Sequence, residues 1–141
     1  MSNEQAYEIT WLIRRVFRAM ASAADQYLED SGLSAADRAV MEFLYPDEQL
    51  SVPDIARRYD VSRQHVQVTV NSLVKRGLLR FDVNPRHKRS KLVRLSELGR
   101  ESFAEIRRNE EAIVERLFGG IPGDALLATQ QTLQSLHDKL K

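Results

Sequence analysis

The chain has 141 residues, 43% hydrophobic and 29% charged, enough for one domain with a core, or a domain with helical extensions. It contains no cysteine, which excludes disulfides, thiol redox chemistry and Cys-based zinc sites. The net charge of +1 conceals a segregation: residues 62–94 hold nine basic side chains against Asp82 alone, a net +8, while the remainder carries −7.

Such a block points to a polyanionic partner at one face of the protein. The opening MSNEQAYEIT lacks a basic-then-apolar signal pattern. No apolar run approaches the roughly 18 residues of a membrane span. A soluble, cytoplasmic protein with no membrane partner is therefore expected.

In chain order, Ile9, Leu12, Ile13, Val16, Phe17, Met20, Ala24, Tyr27 and Leu28 recur at helical spacing. They predict one long amphipathic helix ending near Gly32. Ser34 opens a second helix, with Asp37 as its capping-box partner and Ala39, Val40, Phe43 and Leu44 on its apolar face. Pro46 ends it. Ser51 starts a short third helix, where Pro53 is tolerated because its missing N–H has no helical partner in the first turn. Ile55, Ala56 and Tyr59 supply its buried side. After a tight turn at Asp60-Val61, Ser62 caps a fourth helix with Val66, Val70, Leu73 and Val74 inward, and Gly77 stops it.

Beyond Gly77 the period changes to 2. Leu79, Phe81 and Val83 alternate with Arg80 and Asp82, Asn84-Pro85 interrupts, and Lys91 to Leu95 resumes with Val93 and Leu95 on one face. This is a hairpin with a cationic tip. Ser96 caps a fifth helix with Phe103, Ile106, Ile113, Val114 and Leu117 inside; GGIPGD breaks it. A last helix carries Leu126, Leu127, Leu133, Leu136 and Leu140. The expected fold is mainly α with a small β-hairpin wing: a winged helix-turn-helix at 33–96, flanked by dimerisation helices at 1–32 and 97–141. The outer apolar stripes exceed what the small middle domain can cover, so they are expected to pack against each other and a second chain.

The segment LSVPDIARRYDVSRQHVQVTVNSLVKRGLLRFDVNPRHKRSKLVRLSELGRE resembles the MarR family of bacterial transcriptional regulators. That family combines a Ser-started recognition helix, an L-x-x-x-G-L stretch and a wing ending in K/R-x-L-V-x-L-T/S-x-x-G. Leu73, Gly77, Leu78, Leu92, Val93, Leu95, Ser96 and Gly99 fall in its register, and the flanking helices extend the likeness over nearly the whole chain. The resemblance implies a homodimer made by the first and last helices, with two recognition helices and two wings on a pseudo-palindromic duplex. It also implies repression, with release by a small, often aromatic, ligand. Where relatives often carry cations, this chain has Val68 and Ser72. Where their wing reads Asp-x-Arg, it has His87-Lys88-Arg89, so Arg89 is expected to be either less preorganised or held by Asp82 instead.

A helix N-terminus aims free N–H groups and partial positive charge outward. Arg63, Gln64 and Gln67 are the expected base readers, since Arg binds guanine and Gln adenine bidentately. Ser62 and Thr69 are assigned to the DNA backbone, and His65 to either. Arg86, Lys88 and Arg89 of the wing neutralise phosphates or enter a narrow minor groove, with Lys75, Arg76 and Arg57 as flanking cations. Trp11 with Arg14 and Arg15 has two readings: a seat for an aromatic carboxylate, or packing in the dimer interface with the arginines paired to acids.

Catalysis is not expected. His65, His87 and His137 are scattered, and no paired-carboxylate, zincin or phosphate-loop pattern occurs. No cofactor or metal is called for. The alternative to DNA binding is a winged helix serving as a protein-interaction module.

Overall fold

The computed structural model describes residues 2–141, the side chain of Tyr27 excepted, so that member of the first stripe lies outside the described residues. Helix α1 (Asn3–Leu28) runs into a 3₁₀ turn (Glu29–Ser31) closed by Gly32 in the left-handed region, φ 71°. Glycine adopts that conformation without steric cost. Helix α2 (Ala35–Leu44) begins at the anticipated box: Ser34 Oγ accepts from the Asp37 N–H, and the Ser34 N–H donates to Asp37 Oδ2, both at 3.0 Å.

Strand β1 (Leu50–Ser51) leads directly into α3 (Val52–Tyr59). Ser51 belongs to both: it pairs with Leu92 in the sheet, and its Oγ accepts from the Asp54 N–H at 3.3 Å. Helix α4 (Arg63–Lys75), β2 (Leu79–Asp82) and β3 (Leu92–Leu95) follow, then α5 (Glu97–Phe118) and α6 (Gly123–Leu140). The hairpin is thus the larger part of a three-stranded antiparallel sheet in the order β1-β3-β2, with Phe81 opposite Val93 and Leu79 opposite Leu95. Val83 does not continue β2. The strand ends at Asp82 and Val83 is 82% exposed.

Two compact units result, one ending at Ile106 and one spanning Arg107–Lys141. In the first, Val40, Met41 and Leu44 of α2, Ile55 of α3, Val66, Val70 and Leu73 of α4, and Val93 of β3 form a buried core, joined by Phe103 and Ile106 of α5. Burying one such side chain stabilises by about 1.5–3 kcal/mol. Among the described residues, the α1 stripe enters this core at its end, through Leu28 and half-buried Ala24. Leu12, Val16, Phe17 and Met20 are exposed, Phe17 to 71%. In the second unit, Leu127, Leu133, Leu136 and Leu140 of α6 are exposed, and so are Val114 and Leu117, which the sequence pattern places inside. Among the described residues, no helix is long and apolar enough to cross a membrane.

Candidate nucleic-acid interface

Asp60, in the left-handed region at φ 58°, ends α3 and turns the chain toward α4. Ser62 Oγ accepts from the His65 N–H at 3.0 Å, which caps α4 and leaves its first turn open to solvent. Val66, Val70 and Leu73 are fully buried and fix the rotation of the helix about its own axis. That rotation decides what faces out. Ser62, Arg63, Gln64, His65, Gln67, Val68 and Asn71 are all exposed.

Thr69 is a correction. It was placed on the outward side, yet it is 7% exposed and its hydroxyl donates to the His65 carbonyl at 3.2 Å. At positions i+3 from Val66 and i−4 from Leu73 it lies on the inner stripe, with its hydroxyl turned back onto the helix backbone.

The connection between β2 and β3 is a run of local turns. Asn84 Oδ1 accepts from the Arg86 N–H at 3.0 Å, the Asn84 carbonyl from the His87 N–H at 3.3 Å, and the His87 carbonyl from the Ser90 N–H at 3.2 Å. Arg86, Lys88 and Arg89 project from it, exposed and without ion pairs among the described residues. Lys91 Nζ lies 5.4 Å from the Phe81 ring centroid, a cation–π distance. Recognition helix and wing face each other across a cleft of about 520 Å³. Arg63, Gln64 and Gln67 line one wall, Phe81, Arg89, Ser90 and Lys91 the other, with Val52 and Pro53 at the start of α3 between them.

Two members of this face were not singled out in the sequence. The sequence pattern places Lys91 at the start of a strand. Asn71 was passed over, although Oδ1 accepts from Gln67 Nε2 at 2.8 Å; the i,i+4 spacing of a Gln–Asn pair was the available signal.

Several cations counted into the basic block are already held. Asp82 does not serve Arg89. It pairs with Arg94 at 3.5 Å and Arg80 at 3.8 Å, because these three lie within the paired strands, whereas Arg89 sits in the turn beyond them. Arg94 also reaches Asp47 at 2.6 Å. Arg57 pairs with Asp54 one turn back on α3 but remains well exposed. Arg76, assigned to the duplex flank, is engaged inside the protein: it contacts Asp37 Oδ2 at 3.1 Å and donates to the Gly32 carbonyl at 2.8 Å. Lys75 is exposed. Trp11, 64% exposed, and Arg14 and Arg15 lie open along α1 and take no part in the cleft. Among the described residues, no group of three His, Asp or Glu side chains could hold a metal ion.

The MarR family model matches residues 31–90, from the end of the 3₁₀ turn to the tip of the wing, short of β3. An uncharacterized protein of Mycobacterium tuberculosis is 38% identical over 95 residues, 67% of this chain and 66% of that protein's length. A MarR family transcriptional regulator from Silicibacter pomeroyi has the same fold, with a TM-score of 0.84 at 20% identity, over 100% of this chain and 95% of that one. CouR from Rhodococcus jostii, solved bound to p-coumaroyl-CoA, superposes with a TM-score of 0.81 at 26% identity, covering 91% of this chain and 90% of that one.

Proposed function

Because the chain belongs to the MarR family, we propose that it is a homodimeric, sequence-specific transcriptional repressor of the cytoplasm, acting on a pseudo-palindromic operator. One observation carries the reading: Arg63, Gln64 and Gln67 stand opposite Arg89 and Lys91 across an open cleft. The helix wall offers groups that distinguish base edges in a major groove. The wing wall offers charge without base chemistry, suited to phosphates or a narrow minor groove. The uncovered stripe of α1 supports a dimer, since one chain leaves Leu12, Val16, Phe17 and Met20 in water. Two recognition helices about 34 Å apart then meet successive turns of one duplex face.

Release by a small aromatic acid or its thioester is the second part of the proposal, supported by the ligand bound to CouR. Such a ligand acts only if it prefers a dimer whose helices are wrongly spaced. In the free chain Trp11, Arg14 and Arg15 are open to either a ligand or the second subunit.

Binding-site selection from random duplexes tests the proposal. A two-fold related motif, bound with a strong inverse salt dependence, is the expected result. Should six to ten phosphates be contacted, affinity falls about 10³–10⁵-fold between 50 and 200 mM salt. No enrichment, with heparin retention insensitive to salt, would favour the protein-interaction reading instead. Calorimetry with salicylate-like acids tests the effector.

A further inference from the structure

Arg76 is the C-cap residue of α4, and its own N–H bonds back to the Ser72 carbonyl at 3.1 Å. Its guanidinium spans two distant segments. Nη2 donates to the carbonyl of Gly32, 44 residues earlier, at 2.8 Å; Nη1 meets Asp37 Oδ2, 39 residues earlier, at 3.1 Å. Gly32 closes the turn that ends the α1 arm, and Asp37 is the buried half of the capping box that begins α2. The same Asp37 oxygen accepts from the Ser34 N–H. One planar fork therefore joins the foot of α1, the start of α2 and the last turn of the recognition helix.

Charge argues that this engagement persists on a duplex. Moving the guanidinium to a phosphate would leave the Asp37 carboxylate unpaired, with its side chain only 12% exposed. Geometry says what the engagement does. Leu28 and Leu33, both buried, plug the joint on either side of the 3₁₀ turn. Apolar burial resists separation but is non-directional. Hydrogen bonds of a rigid fork are directional and resist swivelling.

We propose that Arg76 is a positioning residue that sets the angle between the α1 arm and α4, and so the distance between the two recognition helices of the dimer. This rests on the dimeric, two-half-site reading above. Arg76 itself touches no phosphate.

The test uses full-length wild type, Arg76→Ala, Arg76→Lys and Asp37→Asn on duplexes selected by the wild type, with the half-sites moved one or two base pairs closer or further apart. Wild type should prefer one spacing. Arg76→Ala and Asp37→Asn should lose that preference several-fold while the salt slope stays at the wild-type value. Arg76→Lys should resemble Arg76→Ala, because an ammonium cannot bridge Gly32 and Asp37 as the fork does. A phosphate contact predicts the reverse: a salt slope reduced by about one per subunit in Arg76→Ala, and rescue by Lys. Either result, or an unchanged spacing preference, overturns the proposal. If Arg76→Ala does not fold, Arg76→Lys and Asp37→Asn decide it. The absence of cysteine allows a readout without DNA. Spin labels on Ser72→Cys should give one inter-subunit distance that broadens when Arg76→Lys is added; unchanged width counts against the proposal. A labelled Ser72→Cys chain with Arg76 intact that gives no inter-label distance removes the dimer itself, and this proposal with it.

Discussion

Gln67 donates its side-chain amide to Asn71 Oδ1 across 2.8 Å, one turn further along the recognition helix. The bond turns Nε2 of Gln67 toward the C-terminal side of the helix. Nε2 keeps a second hydrogen and the carbonyl oxygen keeps both lone pairs. A preset amide of this kind meets adenine N7 and N6 with less ordering left to do.

Gln67→Ala should therefore cost about 1–3 kcal/mol at one A·T pair, with other positions of the operator unaffected. Asn71→Ala should weaken the same position by a smaller amount, about 0.5–1.5 kcal/mol. Affinity measured across single-base variants of the selected site checks both. Uniform losses over all positions would show that neither side chain reads a base.

Arg89 stands on the wing wall of the cleft with no acid beside it. Arg89→Ala should lower the salt slope of binding by about one per subunit. Titrations by fluorescence anisotropy between 50 and 200 mM salt supply the slope. Unchanged binding at every salt concentration would remove the wing from the interface.

Val68 is 64% exposed on the reading face, between Gln64 and Ser72 on the same side of α4. A lysine there has an apolar stem and can carry its charge outward. Val68→Lys should raise affinity for all sequences at low salt and steepen the slope by about one per subunit. Selectivity among operators should fall, because the added contact carries no base information. A slope identical to wild type would mean that this side of α4 faces away from the duplex.

Gly99 has no room for a side chain. A Cβ there would overlap the Leu78 carbonyl, which already accepts the Ser96 N–H at 3.0 Å. Gly99→Ala should destabilise by about 1–3 kcal/mol, the usual range for overpacking a tight contact. Thermal unfolding reads this directly, and an unchanged midpoint would show that α5 shifts freely against β2.

Phe17→Glu places a charge in the middle of the uncovered α1 stripe. It should shift the protein from dimer to monomer in sedimentation equilibrium, with the helical content retained. Operator affinity should fall with it. A variant that stays dimeric would take α1 out of the interface.

Most helix starts were legible because capping is written in local chemistry. Ser34, Ser51, Ser62 and Ser96 each accept an N–H three residues on. What escaped has physical reasons. Strand β1 is two residues long, too short for any period, and one of them doubles as a helix cap. Thr69 was misplaced by its chemistry; Val66, Thr69, Val70 and Leu73 follow the i, i+3, i+4, i+7 rule, and the period outranks the hydroxyl. Asp37 and Gly32, which hold Arg76, and Asp47, which holds Arg94, lie 39 to 47 residues away, where no local pattern reaches. Hence the block of positive charge was visible as a whole, but not its division between cations that hold the fold and cations left for a ligand.

The wing is built in two parts of different character. Its strands are clasped, with Arg94 held by Asp47 from outside the wing and by Asp82 within it. Its tip, residues 84–90, closes on itself through three short-range bonds and, among the described residues, borrows none from elsewhere. The tip is therefore an exchangeable cartridge: another seven-residue turn could be grafted between the same two strands, changing the charge the wing presents while the scaffold beneath stays as it is.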